Sequence, residues 1–430
     1  MTASLLVGAA EVDITPPVGT NMVGSLAPRP STGVDDPLTV KAIVLESRGV
    51  RIAYVLLDVA TLPRRRADKA VQLAAQRTGI PADHIVWATS HTHTGPIAEP
   101  EVYLGMNTTS DLKWLEKLPE QFAQAVQRAD AAKRPALMSR LRGYCSGVAV
   151  NRRLRFKDGR ELNHWLLHAG EEEVQCLGAA GPVDPEVGIL CFDGEDGVPI
   201  AVLWHYTVHA NANFGPRFSA DYPAVVASRL RERYGTGVVS IFMPGHCGDV
   251  NPILKYREMG NRLADVIIEQ LEKRTPRQGE VALAAIKKEI TVPAREFRTD
   301  ERKRLLDSQW APDVRDWFVK QEQFLRERNE REITTLLQAW RIGEVGFASL
   351  PGEPFIEWGV KIKAESPFPW TYPVELGGDY VGYLVTEQAY RAGGYESLHS
   401  WVGRVSPQGV GMMVSELLEL LRRLWKEHPA

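Results

Sequence analysis

"HIVWATSHTHTGP", residues 84–96, is the stretch from which the fold can be read. Its first half, "HIVWATS" (84–90), is a short apolar run of the kind that forms a buried strand. It breaks at two histidines and then at Gly-Pro. Upstream, "RIAYVLLDVA" (51–60) reads as another strand. Between the two, residues 63–78 carry apolar side chains three and four positions apart, the spacing of one helix face. The alternation continues. "VGILCFD" (187–193), "PIAVLWHYTVH" (199–209), "GVVSIFMP" (237–244) and "ALAAIKKEITV" (282–292) read as strands, and 111–132, 221–235 and 257–273 as helices. Short β-branched runs alternating with amphipathic helices predict an α/β fold. We expect mixed β-sheets flanked by helices in one layered domain spanning residues 1–430.

A charged helical insertion is expected at about 295–333, with its mixed-sign side chains forming a solvated surface. A hairpin, "TTLLQAWRIG" then "EVGFASLPGE", follows it. The last helix, 409–428, carries a Met, Leu and Trp stripe expected to pack in the core. No internal repeat or low-complexity linker is visible in the sequence.

The totals narrow the function. The 430 residues are 44% hydrophobic and 24% charged, ordinary for a globular protein with a sizeable core. A formal charge of −3 gives no global electrostatic argument for nucleic acid or an anionic membrane. No run approaches the roughly 18–20 apolar residues that a membrane span needs. The N-terminus shows no basic leader. Four scattered cysteines make no disulfide framework, so a reduced, cytoplasmic protein is expected.

Four places combine titratable side chains with Gly or Pro at a strand end, where α/β folds assemble their sites. In "SHTHTGP", extended backbone would turn His91 and His93 to the same side, where imidazole nitrogens can ligate a metal. A satisfied packing pair is the competing reading. In "WHYTVHANAN", His205 and His209 follow a buried run, and at most one of them is expected at a metal. In "MPGHCGDVNP" (243–252), small residues bracket His246, Cys247, Asp249 and Asn251. A Cys–His nucleophile is disfavoured because adjacent side chains of an extended segment point apart. The last place holds Glu353 in "SLPGEPF" and a series of tyrosines, Tyr380, Tyr383, Tyr390 and Tyr395. No P-loop or G-x-S-x-G elbow is present.

In this order, "VGAAEVDITPPVG", "SHTHTGP", "VNRR", "GPVDPEVG", "SADYP", "GHCGDVNP", "LPGEPF" and "GYLVTEQAYRAGGYE" resemble the catalytic domain of the neutral/alkaline (non-lysosomal) ceramidase family. The resemblance covers nearly the whole chain. It implies a catalytic zinc held by His91, His209, Glu353 and Tyr383, with His93, Arg152 and Tyr395 lining the site. Two neutral nitrogens and a carboxylate make a familiar hydrolytic zinc set. Such a zinc lowers the pKa of its water toward about 7 for attack on an amide carbonyl. His93 is then expected in proton transfer or at the oxyanion.

The chain also departs from the family. Asn251 stands where the ceramidases have a serine, which suits an oxyanion or substrate contact. No C-terminal β-sandwich domain like that of the lipid-acting enzymes is expected after the last helix. The resulting expectation is a zinc-dependent amidohydrolase acting on a linear N-acyl amide, ceramidase-like without being tied to ceramide or to sphingolipid metabolism. A small-molecule or lipid-like amide is its expected partner. The alternatives are a zinc hydrolase of an ester, lactone or other small polar substrate, and a non-catalytic binding protein.

Overall fold

The computed structural model describes residues 5–25, 27–99, 111–164, 175–275, 279–299, 302–303 and 311–427. The α/β expectation holds. Eight strands form one mixed sheet in the spatial order Val239–Pro244, Pro199–Tyr206, Glu186–Gly194, Arg134–Tyr144, Leu6–Asp13, Thr39–Ser47, Val50–Leu57 and Ile85–Thr89. Leu283–Pro293, Glu332–Ile342, Val345–Ser349 and Trp370–Val374 form a second sheet of four.

The side-chain period of two explains the layering. Ala53, Val55 and Leu57 face the Arg64–Thr78 and Leu112–Ala131 helices. Their neighbours Ile52, Tyr54 and Leu56 enter the core shared with the second sheet. There Tyr54 stacks on Trp340 at 5.6 Å and Trp340 on Phe347 at 5.0 Å. Gly188 makes room for this packing, since a Cβ there would lie 2.3 Å from the ring of Tyr372. On the far side of the second sheet, Leu337, Ala339 and Ala348 meet Met413, Leu417 and Leu421 of the Pro407–Glu427 helix. The terminal stripe is core, as the sequence predicted.

The sequence shows no repeat, but the connections do. Three times the chain makes an antiparallel three-strand meander, then a helix, then a fourth strand parallel to the third. The crossover helices are Arg64–Thr78, Tyr222–Tyr234 and Ile356–Glu365. Each fourth strand is followed by a helix, Leu112–Ala131, Tyr256–Glu272 or Pro407–Glu427, that packs back on the first two strands of its own unit. The first two units join through their first strands at Leu6↔Pro135 and Val7↔Arg134 to give the large sheet. The third unit is the small sheet.

The charged insertion yields a helix over Pro312–Arg328; residues 300–301 and 304–310 lie outside the described residues. Its charged face is exposed as expected. Trp317 and Phe318, however, are buried against the tyrosine-rich end of the third unit. No helix among the described residues is long and apolar enough to cross a membrane.

Candidate active site

The loops after the third and fourth strands of the three units converge, as expected where parallel strands leave crevices at their carboxyl ends. His91 follows the fourth strand of the first unit, and His209 follows the third strand of the second. Glu353 and Tyr383 follow the third and fourth strands of the last.

His91 does not sit in extended backbone. Its φ is +62°, the left-handed region, which costs a non-glycine residue of order 1 kcal/mol or more. Its N–H donates to Val59 O at 3.1 Å, and its Nδ1 lies 2.9 Å from Ala60 O. A carbonyl only accepts, so Nδ1 carries the proton and Nε2 turns its lone pair into the site. The rings of His91 and His93 do meet, with centroids 4.9 Å apart and Nε2 atoms 3.4 Å apart. The cause is this turn rather than the strand-like alternation that the sequence suggested.

His209 is built the same way from the second unit. Its Nδ1 lies 2.6 Å from Cys247 O, which fixes the same tautomer. Burial, with the Arg152 guanidinium beside it, lowers its pKa to about 4 and keeps the ring neutral. His205 is elsewhere. It lies between the sheets with Nε2 at 2.8 Å from Pro373 O, a satisfied core histidine.

Glu353 closes the cluster. Its Oε2 is 3.2 Å from His91 Nε2 and 3.4 Å from His209 Nε2, while Oε1 accepts from the Tyr380 hydroxyl at 2.9 Å. Burial alone would raise this carboxyl, but a proton taken up by the His91 imidazole, which Glu353 in turn makes more basic, holds it well below the usual carboxylate range; a cation in the same space would act in the same way. Gly248 brings the "GHCGDVNP" loop against it, because a Cβ there would lie 2.3 Å from Glu353 O. Tyr383 is the register partner of Glu353 in a two-residue parallel ladder. Its ring is 5.8 Å from that of Tyr395 and 5.4 Å from the Arg152 guanidinium carbon.

Ligand atoms of His91, His93 and His209 all lie within 4.8 Å of one another, and this group could hold a metal ion. Two Nε2 lone pairs and Glu353 Oε2, which takes no hydrogen bond among the described residues, address one space. Acceptors facing acceptors repel unless a proton or a cation sits among them, so the donor set fits a divalent metal.

Around this cluster the structure adds Glu396, Asn163 and Glu375, which sequence reasoning missed, as partners of the expected Arg152 and of the loop at Cys247. Arg152 and Arg153 of "VNRR" both grip Glu396, with Arg152 Nε to Oε1 and Arg153 Nη1 to Oε2, each at 2.8 Å. Asn163 Nδ2 donates to the same carboxylate at 2.6 Å. Arg152 Nη1 is thereby held 3.4 Å from His209 Nε2 and 3.3 Å from Asn251 Oδ1. Glu375, fully buried, accepts from Cys247 N at 2.9 Å and Cys247 Sγ at 3.1 Å. Burial, with Glu375 against it, pushes the Cys247 thiol well up, which agrees with packing rather than nucleophilic chemistry. A "YE" pair and an "EL" after a strand carry no sequence signal of such roles. Only the need of a buried arginine for a carboxylate partner points toward Glu396.

No protein-family model matches the chain. No curated protein matches it in sequence. Solved structures do. The crystal structure of neutral ceramidase from Pseudomonas aeruginosa matches with a TM-score of 0.74 at 16% identity, covering 100% of this chain and 76% of that one. A ceramidase complexed with C2 matches with the same TM-score and identity, covering 99% and 76%. Matched over essentially its whole length, this chain has the neutral ceramidase fold.

Proposed function

We propose that the protein is a zinc-dependent hydrolase of a linear N-acyl amide. The convergence of His91 Nε2, His209 Nε2 and Glu353 Oε2 on one space carries this reading. The likeness to a neutral ceramidase supports it. His91, His209 and Glu353 would hold the ion, with Tyr383 as fourth ligand. Zinc bound there supplies Lewis acidity toward the scissile carbonyl and acidifies a water.

The remaining steps belong to the chain. Arg152, fixed by Glu396, offers Nη1 to the oxygen on which charge develops. His93 stands beside His91 as a neutral ring, its pKa lowered by burial and by the His91 and His209 imidazoles, so it can take a proton. Asn251 holds the guanidinium from the other side. Tyr395, next to Tyr383, contributes a further hydroxyl at the rim. Hydrolysis of an ester by the same residues is the second reading.

Metal analysis together with hydrolysis of fluorogenic N-acyl amides and matching esters, with and without chelator, tests the proposal. Chelator-sensitive amide cleavage is expected. Activity on esters alone would leave the metal site standing and remove the amidase.

A further inference from the structure

The charged insertion adds nothing to the four-stranded sheet that carries it. The chain leaves that sheet at Pro293 and re-enters it at Glu332, and these two are register partners, so a tight turn could join them. What the insertion adds lies elsewhere. On the Pro312–Arg328 helix the buried side chains are Trp317, Phe318, Gln321, Glu322 and Leu325, spaced as one face. The aromatic end of that face packs in the cluster that holds Tyr395, Leu398 and Val402. This segment supplies the site with Tyr395 and Glu396, and Val402 O accepts from Tyr383 N.

Two contacts tie the helix to the segment. Phe318 meets the Tyr395 ring edge to face, with centroids 5.8 Å apart and planes at 80°. Tyr383 makes the same kind of contact with Tyr395, at 5.8 Å and 74°. Three residues further along the helix, the fully buried Gln321 accepts from Trp401 N through Oε1 at 3.2 Å. Edge-to-face ring pairs are directional, so each one limits where the phenol can point.

Tyr395 depends on such support. It follows Gly393 and Gly394, whose φ values of +89° and +97° are rarely open to other residues and leave the turn little stiffness of its own. Arg153 Nη2 donates to Gly393 O at 2.7 Å, and Tyr395 N donates to Asn163 Oδ1 at 3.3 Å. These bonds fix the backbone but not the side-chain torsions. The direction of the hydroxyl is left to the rings packed against it.

Resting on the hydrolytic reading above, we propose that Phe318 is a positioning residue for Tyr395. The insertion helix holds the phenol in its working orientation, with Gln321 anchoring the same segment at Trp401. Phe318 acts through the tyrosine, not on the substrate.

The test is a double-mutant cycle on the full chain, read as kcat and KM for a fluorogenic hexanoyl amide and its matching ester. Phe318→Ala is expected to lower kcat about 10- to 100-fold, the cost of misplacing a reacting group by about 1 Å, and to leave KM within about threefold. In a Tyr395→Phe background the same substitution should lower kcat less than about twofold, because the hydroxyl it aims is gone. Phe318→Leu, which keeps much of the volume, completes the cycle should alanine disturb folding. An equal loss in both backgrounds, or a wild-type kcat in both Phe318 variants, would overturn the inference. A chain that cleaves the ester alone loses the amidase reading, and the cycle is then read on the ester. In a chain that cleaves neither, the hydrolytic reading falls and amide hydrogen exchange decides. Faster exchange across residues 395–402 in Phe318→Ala supports the hold of the helix on this segment, and unchanged exchange overturns it.

Discussion

Glu353 and Tyr383 face each other as register partners in a two-residue parallel ladder, so both side chains leave the same side of it. Glu353 N donates to Gly382 O at 3.0 Å and Tyr383 N to Val402 O at 2.8 Å, which ties both to the last unit's own backbone. A carboxylate and a phenol are thus delivered together to histidines from two other units. Removing either should affect metal retention, not folding. Glu353→Gln is expected to lose metal at least tenfold more readily in chelator competition, and Tyr383→Phe to a smaller extent. His93→Ala is expected to keep metal and lose turnover. A metal-depleted His93→Ala beside a fully loaded Tyr383→Phe would transfer the fourth ligand from the tyrosine to the histidine.

Glu375 orients the site through Cys247. It clamps the Cys247 amide and thiol, and the carbonyl of that same residue orients His209. Glu375→Ala should weaken metal binding about 10- to 100-fold, the usual cost of losing an orienting partner. Glu375→Gln retains an acceptor for the Cys247 amide and should fall between the two. Unchanged affinity in Glu375→Ala would show that the loop holds His209 without help.

Gly248 tests packing rather than charge. Its Cα is so close to the ladder that an added methyl would stand 2.3 Å from Glu353 O, and Gly248→Ala must push the loop or the ladder apart. The expected result is a stability loss of about 1–3 kcal/mol, read as a lower denaturation midpoint, with weaker metal binding alongside it. A variant with wild-type midpoint and metal affinity would show the contact to be compliant.

Buried histidines outside the cluster, His205 and His246 among them, contribute to the acid response. His205 and His246 are fully buried between the sheets, and burial lowers both to about 3. In the unfolded chain they titrate near the ordinary 6.5. Below that value the unfolded state binds protons that these two rings refuse in the folded state, so their share of the stability falls as pH drops from about 6.5 toward 3. Each contributes roughly 2 kcal/mol of this loss by pH 5. His205→Gln should flatten the slope of unfolding free energy between pH 6.5 and 5, and an unaltered slope would contradict the assignment.

The sequence was most informative where apolar runs end abruptly. The buried strand before His91, the run before His209 and the Pro-Gly turn before Glu353 were all legible as strand ends, and so was the α/β class. The Leu6–Asp13, Thr39–Ser47 and Arg134–Tyr144 strands were harder, because polar and small residues interrupt their alternation. The threefold recurrence of one connection was invisible, since long excursions such as residues 145–185 separate equivalent strands and the units share topology rather than residues. Within the site, residues that touch the cluster stood out by type. Glu375 and Glu396, which orient it, did not, because their roles depend on partners distant in the chain.

That distance has a consequence for how the protein is made. His91 is translated early and Glu353 late, with more than half of the chain between them. A growing chain can complete the first two units and their shared sheet while the carboxylate that gathers the histidines has yet to leave the ribosome. Loading of the ion is therefore reserved for a finished chain, and a molecule truncated within the third unit would lack both the carboxylate and the sheet that covers Ile52, Tyr54 and Leu56.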